Sequence, residues 1–591
     1  MQVLLLSMPW APFNRPSIQL GALKGYLDRQ FPDLCVQSRH PSLTVAAAIG
    51  PDRYRRISEN TWAGEALYSG LLFPELRDAA RRLFQRELPD LGAATYDALL
   101  PVLDAHLDTC LDQLPVADCQ LVGFSVCFSQ LSASLLAASR LKARRPEVRV
   151  VFGGSVITPE LARSLPGAFA AVDECITGEG ERPLARLVAS LHGDAPSRAA
   201  GIDAARPQVA APEPAPEGAT IADLDTLPLP DYTDYFAELA ASTLDFIPHL
   251  PVEFSRGCWW NRCAFCNLNL QWQGYRHKSA DRMLTEIRTL TGRHRCLDFS
   301  FTDNALPPAE ANTLFQALAA EPVDRRFFAE IRALRQGDHY ALYRRGGLTE
   351  VQVGVEALSD SLLARMRKGV RAIDNLAAMK DAQENDLRLA GNLILEFPGS
   401  TATEVEETLA ALAAALPFPP LEPATFFLGQ GCPVDKAPQA FGLTAVTCHA
   451  NYRALYPATL LDRVPMLVRS GRGDRERQRR LWRPVRRALR AWREFHKQRT
   501  SRQPALCYRD GGDFLVIRQE RPGQPVLHHR LHGTSRAIYL HCRRPVAQKE
   551  LLQTFGRVKE EQLVRFLADL THKHLLYQDD GHCLALAVHA T

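Results

Sequence analysis

Fourteen cysteines are spread through 591 residues, yet three stand together on one short stretch, Ser255-Arg256-Gly257-Cys258-Trp259-Trp260-Asn261-Arg262-Cys263-Ala264-Phe265-Cys266. The spacing is Cys-x4-Cys-x2-Cys. Three thiolates on one loop can ligate three irons of an iron–sulfur cubane. No fourth cysteine lies nearby, so one iron would keep an open position for an exchangeable ligand, as a catalytic metal site requires. Other chemistries fit the same residues. A zinc knuckle wants a fourth cysteine or a close histidine, and the next one is His277. Cys263 and Cys266 alone have the spacing of a redox pair. The plainest alternative is three buried thiols, which is how Cys35, Cys110, Cys119, Cys127, Cys175, Cys296, Cys448, Cys507, Cys542 and Cys583 are read in a chain without a secretion signal.

The elements that must hold this loop are strands alternating with helices. Strands are expected at 251–255, 297–302, 327–332, 351–356, 391–397 and 424–428, with helices between them, for example 280–291 and 309–319. Six such repeats fit a partial α/β barrel, whose site would lie at the C-terminal ends of its strands. The triad directly follows the first of these strands. Residues 3–7, 120–128 and 148–153 are apolar runs that read as strands, and 132–144 has helical spacing, an order that predicts a doubly wound parallel sheet. Two glycine-rich turns follow strands there: Gly153-Gly154-Ser155 and Thr177-Gly178-Glu179-Gly180-Glu181. Such turns let backbone approach a flat cofactor or a phosphate.

From these pieces in this order the chain resembles the radical S-adenosylmethionine (SAM) superfamily, although the common spacing there is Cys-x3-Cys-x2-Cys. The resemblance implies a [4Fe–4S] cluster on Cys258, Cys263 and Cys266, with SAM chelating the open iron and yielding a 5′-deoxyadenosyl radical. It implies SAM contacts from Phe265, from Asp303 and Asn304 after the second strand, from Glu330 and Arg332 on the third, from Glu356 in Gly354-Val355-Glu356, and from Asn392; Glu396-Phe397-Pro398-Gly399 also marks the fifth strand. The region in front is similar to cobalamin-binding domains, with Ser125, Val126, Gly153, Gly154, Ser155, Gly178, Glu179 and Glu181 as the implied contacts. The Asp-x-His-x-x-Gly loop that supplies a cobalt ligand is missing, so cobalamin would bind without a histidine. Trp62 and Tyr68 are the side chains considered for cobalt's lower face.

The expected fold class is therefore α/β: a Rossmann-like cobalamin-binding domain at 1–205, a linker at 206–245, a partial (β/α)6 radical SAM barrel at 246–430, a basic helical connection at 431–504 and a small α+β, winged-helix-like domain at 505–591. The linker is placed by the Pro/Ala-rich run 210–218. Residues 472–502 carry 13 Lys and Arg against three acids, and Leu481, Val485, Leu489 and Trp492 recur at helical spacing. With Cys258-Trp259-Trp260 and Met366-Arg367-Lys368-Gly369, the whole most resembles the cobalamin-dependent radical SAM C-methyltransferases of ribosomal peptide natural products (RiPPs). That resemblance implies methylation of an unactivated carbon; rearrangement or cyclisation without methyl transfer is the alternative. It implies a precursor peptide as substrate, which the C-terminal domain would hold by strand addition, and an external electron donor. No run reaches a membrane span, and a net charge of +4 suggests no nucleic-acid partner. A cytoplasmic setting is expected.

Overall fold

A computed structural model describes residues 2–114, 119–192, 219–333 and 339–590. They fall into two compact units. The first holds residues up to Cys258 together with Asn267–Thr302 and Thr447–Ser470; the second holds Trp259–Cys266, Asp303–Val446 and the chain from Gly471 onward.

The first unit is built on five strands, β1 (Gln2–Leu6), β2 (Cys35–Arg39), β3 (Cys119–Ser125), β4 (Arg149–Gly153) and β5 (Glu174–Cys175), in the order β2-β1-β3-β4-β5. Every pairing is parallel. This is a doubly wound order that reverses between β1 and β3. The alternation of side chains assigns each face its core. Leu4, Leu6, Val122, Phe124, Val150 and Phe152 enter one cluster, and Val3, Leu5, Leu121 and Val151 enter the other.

Three features depart from the expected domain map. Residues 41–112 carry helices and no strand, with helices at Pro41–Ile49, Pro51–Ser58, Thr61–Leu72, Arg77–Glu87 and Gly92–Asp112. Residues 206–218 of the expected linker lie outside the described residues, but the part from 219 to 245 packs into the first unit. Tyr232 and Tyr235 are buried, Tyr235 donates to Phe13 O at 2.7 Å, and Asp234 takes Lys24 at 2.9 Å. Thr447–Ser470, expected in the basic connection, belongs to the first unit. There the Tyr456 hydroxyl donates to the buried carboxylate of Glu65 at 3.0 Å, which also accepts the Leu131 and Ser132 N–H groups at 2.9 Å. The first unit also contains β6 (Leu250–Val252), the short pair β7 (Ser255–Arg256) and β8 (Arg276–His277), and β9 (Asp298–Phe301), parallel to β6.

The second unit carries β10 (Arg326–Ile331), β11 (Leu348–Val353), β12 (Arg388–Ala390), β13 (Asn392–Leu395) and β14 (Glu422–Thr425). β10, β11 and β12 pair in parallel, as do β13 and β14. The expected strand 391–397 is β13, and β12, parted from it at Gly391, was not expected. β13 is tied back at Glu356, whose N–H donates to Asn392 O at 3.0 Å and whose carbonyl accepts from Ile394 at 2.8 Å.

The expected single basic helix is broken at Trp482 into Arg475–Leu481 and Arg483–Gln498. Pro484 has no N–H and suits the first turn of a new helix. Val485, Leu489, Trp492 and Phe495 are buried, and Arg486 reaches Glu396 at 2.6 Å. Beyond them, Leu506–Asp510, Phe514–Gln519 and Leu527–His532 form an antiparallel sheet, and helices follow at Gly533–His541, Gln548–Thr554 and Glu560–His572. The third strand, Leu-His-His-Arg-Leu-His, has little β propensity and was not expected. Among the described residues no helix is long and apolar enough to cross a membrane.

The closing hairpin, Leu576–Asp579 with His582–Ala585, meets the helix Ala372–Glu384 through Arg371, which donates to Asp579 O at 2.9 Å and stands 3.2 Å from the Asp579 carboxylate. Burial, then a hydrogen bond shared with Asp360, pushes the Asp579 carboxyl up to about 7. An unfolded aspartate ionises near 3.9. The shared proton therefore stabilises the folded chain fully below about pH 4, and that contribution is lost as pH rises to about 7. The unfolding midpoint of Asp579→Asn, measured against the parent from pH 4 to 8, is expected to gain on it steadily up to about pH 7 and then run parallel.

Candidate functional site

The loop that carries the cysteines begins at β7. Arg256 there is 3% exposed and is held by three carboxylates: Glu179 at 2.8 Å, Glu181 at 2.5 Å and Glu253 at 3.0 Å. Arg276 on β8 takes the other Glu179 oxygen at 2.6 Å. Burial works against the charge on Arg256, but Glu253 and Glu181 outweigh it and hold the guanidinium ionised. Burial also opposes ionisation of Glu179, and the Arg276 hydrogen bond and Arg256 charge overcome it. Two of the carboxylates expected at cobalamin are thus engaged by arginines at the stem of the cysteine loop. Cys258 follows, its N–H donating to Asn269 Oδ1 at 2.8 Å.

In the second unit the rest of the loop docks on the turn Met366–Gly369. Ala264 N–H donates to Met366 O at 2.8 Å, Trp260 Nε1 to Arg367 O at 2.8 Å, and Arg332 to Lys368 O. Gly369 has φ +73° and faces the Trp260 ring so closely that a Cβ would stand 2.0 Å from it. Only glycine meets both demands. The Lys368 ammonium, on a buried residue, lies 3.2 Å from Glu356 Oε1 and 5.8 Å from the Phe265 ring centroid, and it fills the space beside Gly354. Phe265, Glu356, Lys368 and Arg332 are therefore brought to one place; Lys368 entered the sequence reading only as part of a four-residue string. Cys432, absent from it altogether, is buried at the head of the helix Pro433–Lys436, and Val434 N–H donates to Ala264 O at 3.1 Å. No spacing argument reaches that far along the chain.

The buried polar atoms of this unit that lack a hydrogen-bond partner among the described residues include Trp259 Nε1, Asn304 Nδ2 and Arg332 Nε, along with others such as Trp482 Nε1 and Arg493 Nε in the basic helical stretch. An unsatisfied buried donor is costly and calls for an explanation, an absent group being one. Asn304 is one of the side chains expected at SAM. Asp303 beside it is buried, Glu330 is half-buried with its carbonyl accepting from Leu306 at 3.0 Å, and the Asn392 side chain is exposed. No three His, Cys, Asp or Glu side chains among the described residues close round a single ion. A zinc knuckle needs four donors about 2.3 Å from one ion, and this loop supplies three cysteines; ligands of a cubane bind separate irons.

In the first unit Ser125, Val126, Gly153, Gly154 and Ser155 do lie together at the C-terminal ends of β3 and β4. Val126 N–H donates to Gly153 O at 2.7 Å and its carbonyl accepts from Val156 at 3.2 Å, so its own backbone is spent on the turn. Gly178 opens the separate turn that carries Glu179 and Glu181. Tyr68 is core, 6.0 Å from Trp10; Trp62 stacks on His449 at 4.8 Å.

Residues 252–412 match the family model of the Radical SAM superfamily. A radical SAM domain carries a [4Fe–4S] cluster and SAM. Three curated relatives share 26–27% identity. An uncharacterized methyltransferase of Pyrococcus horikoshii is 26% identical over 57% of this chain and 76% of its own length. Hopanoid C-3 methylase of Methylococcus capsulatus is 27% identical over 44% and 49%. An anaerobic magnesium-protoporphyrin IX monomethyl ester cyclase of Synechocystis sp. is 26% identical over 54% and 66%. The chain thus spans only about half of the hopanoid enzyme. Among solved structures, the cobalamin-dependent SAM radical enzyme OxsB, with aqua-cobalamin and SAM bound, is similar at a TM-score of 0.54 and 14% identity, covering 80% of this chain and 64% of that one. The radical SAM methyltransferase TsrM of Kitasatospora setae is similar at 0.52 and 16%, covering 83% and 88%. At these identities the likeness is one of fold.

Two substitutions test the loop's supports. Arg256→Met takes the arginine from Glu181 and Glu253 and leaves Glu179 to Arg276 alone, which costs about 3–5 kcal/mol, read as a lower urea midpoint. Gly369→Ala forces Trp260 away at an overpacking cost of about 1–3 kcal/mol, and is expected to reduce the iron bound per chain after anaerobic reconstitution while leaving the circular dichroism unchanged.

Proposed function

We propose that this protein is a cobalamin-dependent radical SAM methyltransferase that methylates an unactivated carbon of a peptide natural-product precursor. The observation that carries the reading is the Cys258-x4-Cys263-x2-Cys266 loop, docked on the Met366–Gly369 turn inside the segment that matches the radical SAM family. Its three thiols suit a cubane with one open iron, and the unpartnered Asn304 amide beside buried Asp303 suits the polar end of SAM. Small residues at the ends of β3 and β4, in a sheet that reverses between β1 and β3, suit a flat corrin, and two methyltransferase relatives and the likeness in fold to OxsB and TsrM support it. Cobalamin, cluster and SAM together would supply a carbon-centred radical and a methyl group.

The chain's own residues have four tasks in this reading. Cys258, Cys263 and Cys266 hold the cluster. Arg256 and its carboxylates fix the loop's entry. Trp260 and Ala264 pin its middle to the turn. Lys368 and Glu356 pair beneath Phe265, so that neither charge is left unbalanced beside the cofactor. An external electron donor and a reducing, cytoplasmic setting belong to the same reading. The C-terminal unit of three helices and a closing antiparallel hairpin has the element order of a winged helix, and the edge strand Leu527–His532, exposed over most of its length, supports a role in holding an extended peptide. Relatedness to the cyclase favours a second reading, ring closure without methyl transfer.

Reconstituted protein with SAM, methylcobalamin and a reductant is expected to form 5′-deoxyadenosine. With a candidate precursor peptide added, equal amounts of S-adenosylhomocysteine and singly methylated product select methylation; 5′-deoxyadenosine and a product lighter by two hydrogens select cyclisation. Full turnover by Cys263→Ala would rule out both.

A further inference from the structure

We infer that Arg332 is a donor to the cluster itself, acting on the Cys263 sulfur and setting how easily the cluster accepts an electron. This deepens the radical SAM reading and rests on it. Arg332 follows the third strand of the family segment and is 6% exposed. Its Nη1 donates to Cys263 Sγ across 3.9 Å, and Nη2 donates to Lys368 O. Its guanidinium carbon lies 4.8 Å from the Trp260 ring centroid and 5.3 Å from that of Trp259. Nε is buried and has no partner.

The deciding feature is the missing counter-charge. A buried guanidinium is never deprotonated in a protein, and a buried charge without a partner is costly. The other buried arginine at this loop, Arg256, has three carboxylates. Arg332 has none among the described residues: its contacts are a carbonyl, two indole faces and a sulfur. Indole faces attract a cation but carry no net charge. The Cys263 sulfur is the one neighbour that becomes an anion, as a thiolate ligating iron. Lys368, whose carbonyl Arg332 also holds, has its own carboxylate in Glu356. The arginine's charge is therefore balanced only when the loop carries its metal.

Hydrogen bonds and positive charge at cluster sulfurs raise a cluster's reduction potential, because they favour the state with one more electron. No covalent change is involved. Arg332 would make the cluster easier to reduce, and would do so whether or not SAM is bound.

The test is the midpoint potential of the reconstituted cluster, followed by electron paramagnetic resonance, in the parent, Arg332→Lys and Arg332→Gln. Iron and sulfide content and circular dichroism report folding and loading. Arg332→Gln is expected to move the potential to more negative values, and Arg332→Lys by less. An unchanged potential in a fully loaded Arg332→Gln, with weakened SAM binding instead, would overturn the inference in favour of a SAM contact. Should that variant fail to load, the parent labelled with 15N-arginine supplies the second measurement. The reduced, SAM-free cluster should show a weak nitrogen coupling that equally labelled Arg332→Lys lacks; identical spectra would overturn the inference. A parent chain that assembles no [4Fe–4S] cluster fails the radical SAM reading itself, whereas a loaded parent with an insensitive potential fails only the role of Arg332.

Discussion

A short loop can present three thiolates to one cluster only if its backbone is held without using the thiolates to hold it. Here the entry is held by a buried charge network and the middle by backbone hydrogen bonds. Arg256 faces Glu179, Glu181 and Glu253 where solvent is excluded, so the stem of the loop cannot shift without separating charges in a low-dielectric setting. Ala264 and Trp260 spend their N–H groups on Met366 and Arg367, and Trp260 lies against a glycine that has no side chain to oppose it. Cys258 is fixed through its backbone, its N–H donating to Asn269 Oδ1.

The same network explains the acidic turn after β5. Gly-Glu-Gly-Glu looks like a cofactor cradle when read alone. Its two carboxylates are the counter-charges of Arg256 and Arg276. Ionic pairs this deep contribute little net stability over an apolar packing of the same volume. What they supply is a single register for the strand pair β7–β8 and hence for the cysteine that follows it.

The second unit treats charge in two ways. Lys368 is satisfied by Glu356, while Arg332 is buried against rings and a sulfur. Three donors, on Trp259, Asn304 and Arg332, end without acceptors. Native interiors rarely tolerate this. Trp259 belongs to the cysteine loop, and Asn304 and Arg332 stand just after strand ends of the family segment.

Much of this was legible in the residues. The cysteine spacing, the apolar strands and the glycine turns are local patterns, and local patterns report local geometry: the parallel sheet and the strand–helix alternation follow from period, and three thiols on one loop from spacing. The broken basic helix, the packed stretch after 218 and the return of Thr447–Ser470 to the first unit were not legible, because each depends on partners far away in sequence. Glu65 could not be matched to Tyr456, Arg256 to Glu179, or Arg332 to Cys263 without the fold. The sequence determined which thiols stand close together along the chain; only the tertiary structure decided which charges balance which, since Coulomb energy depends on distance through space and not on separation along the chain.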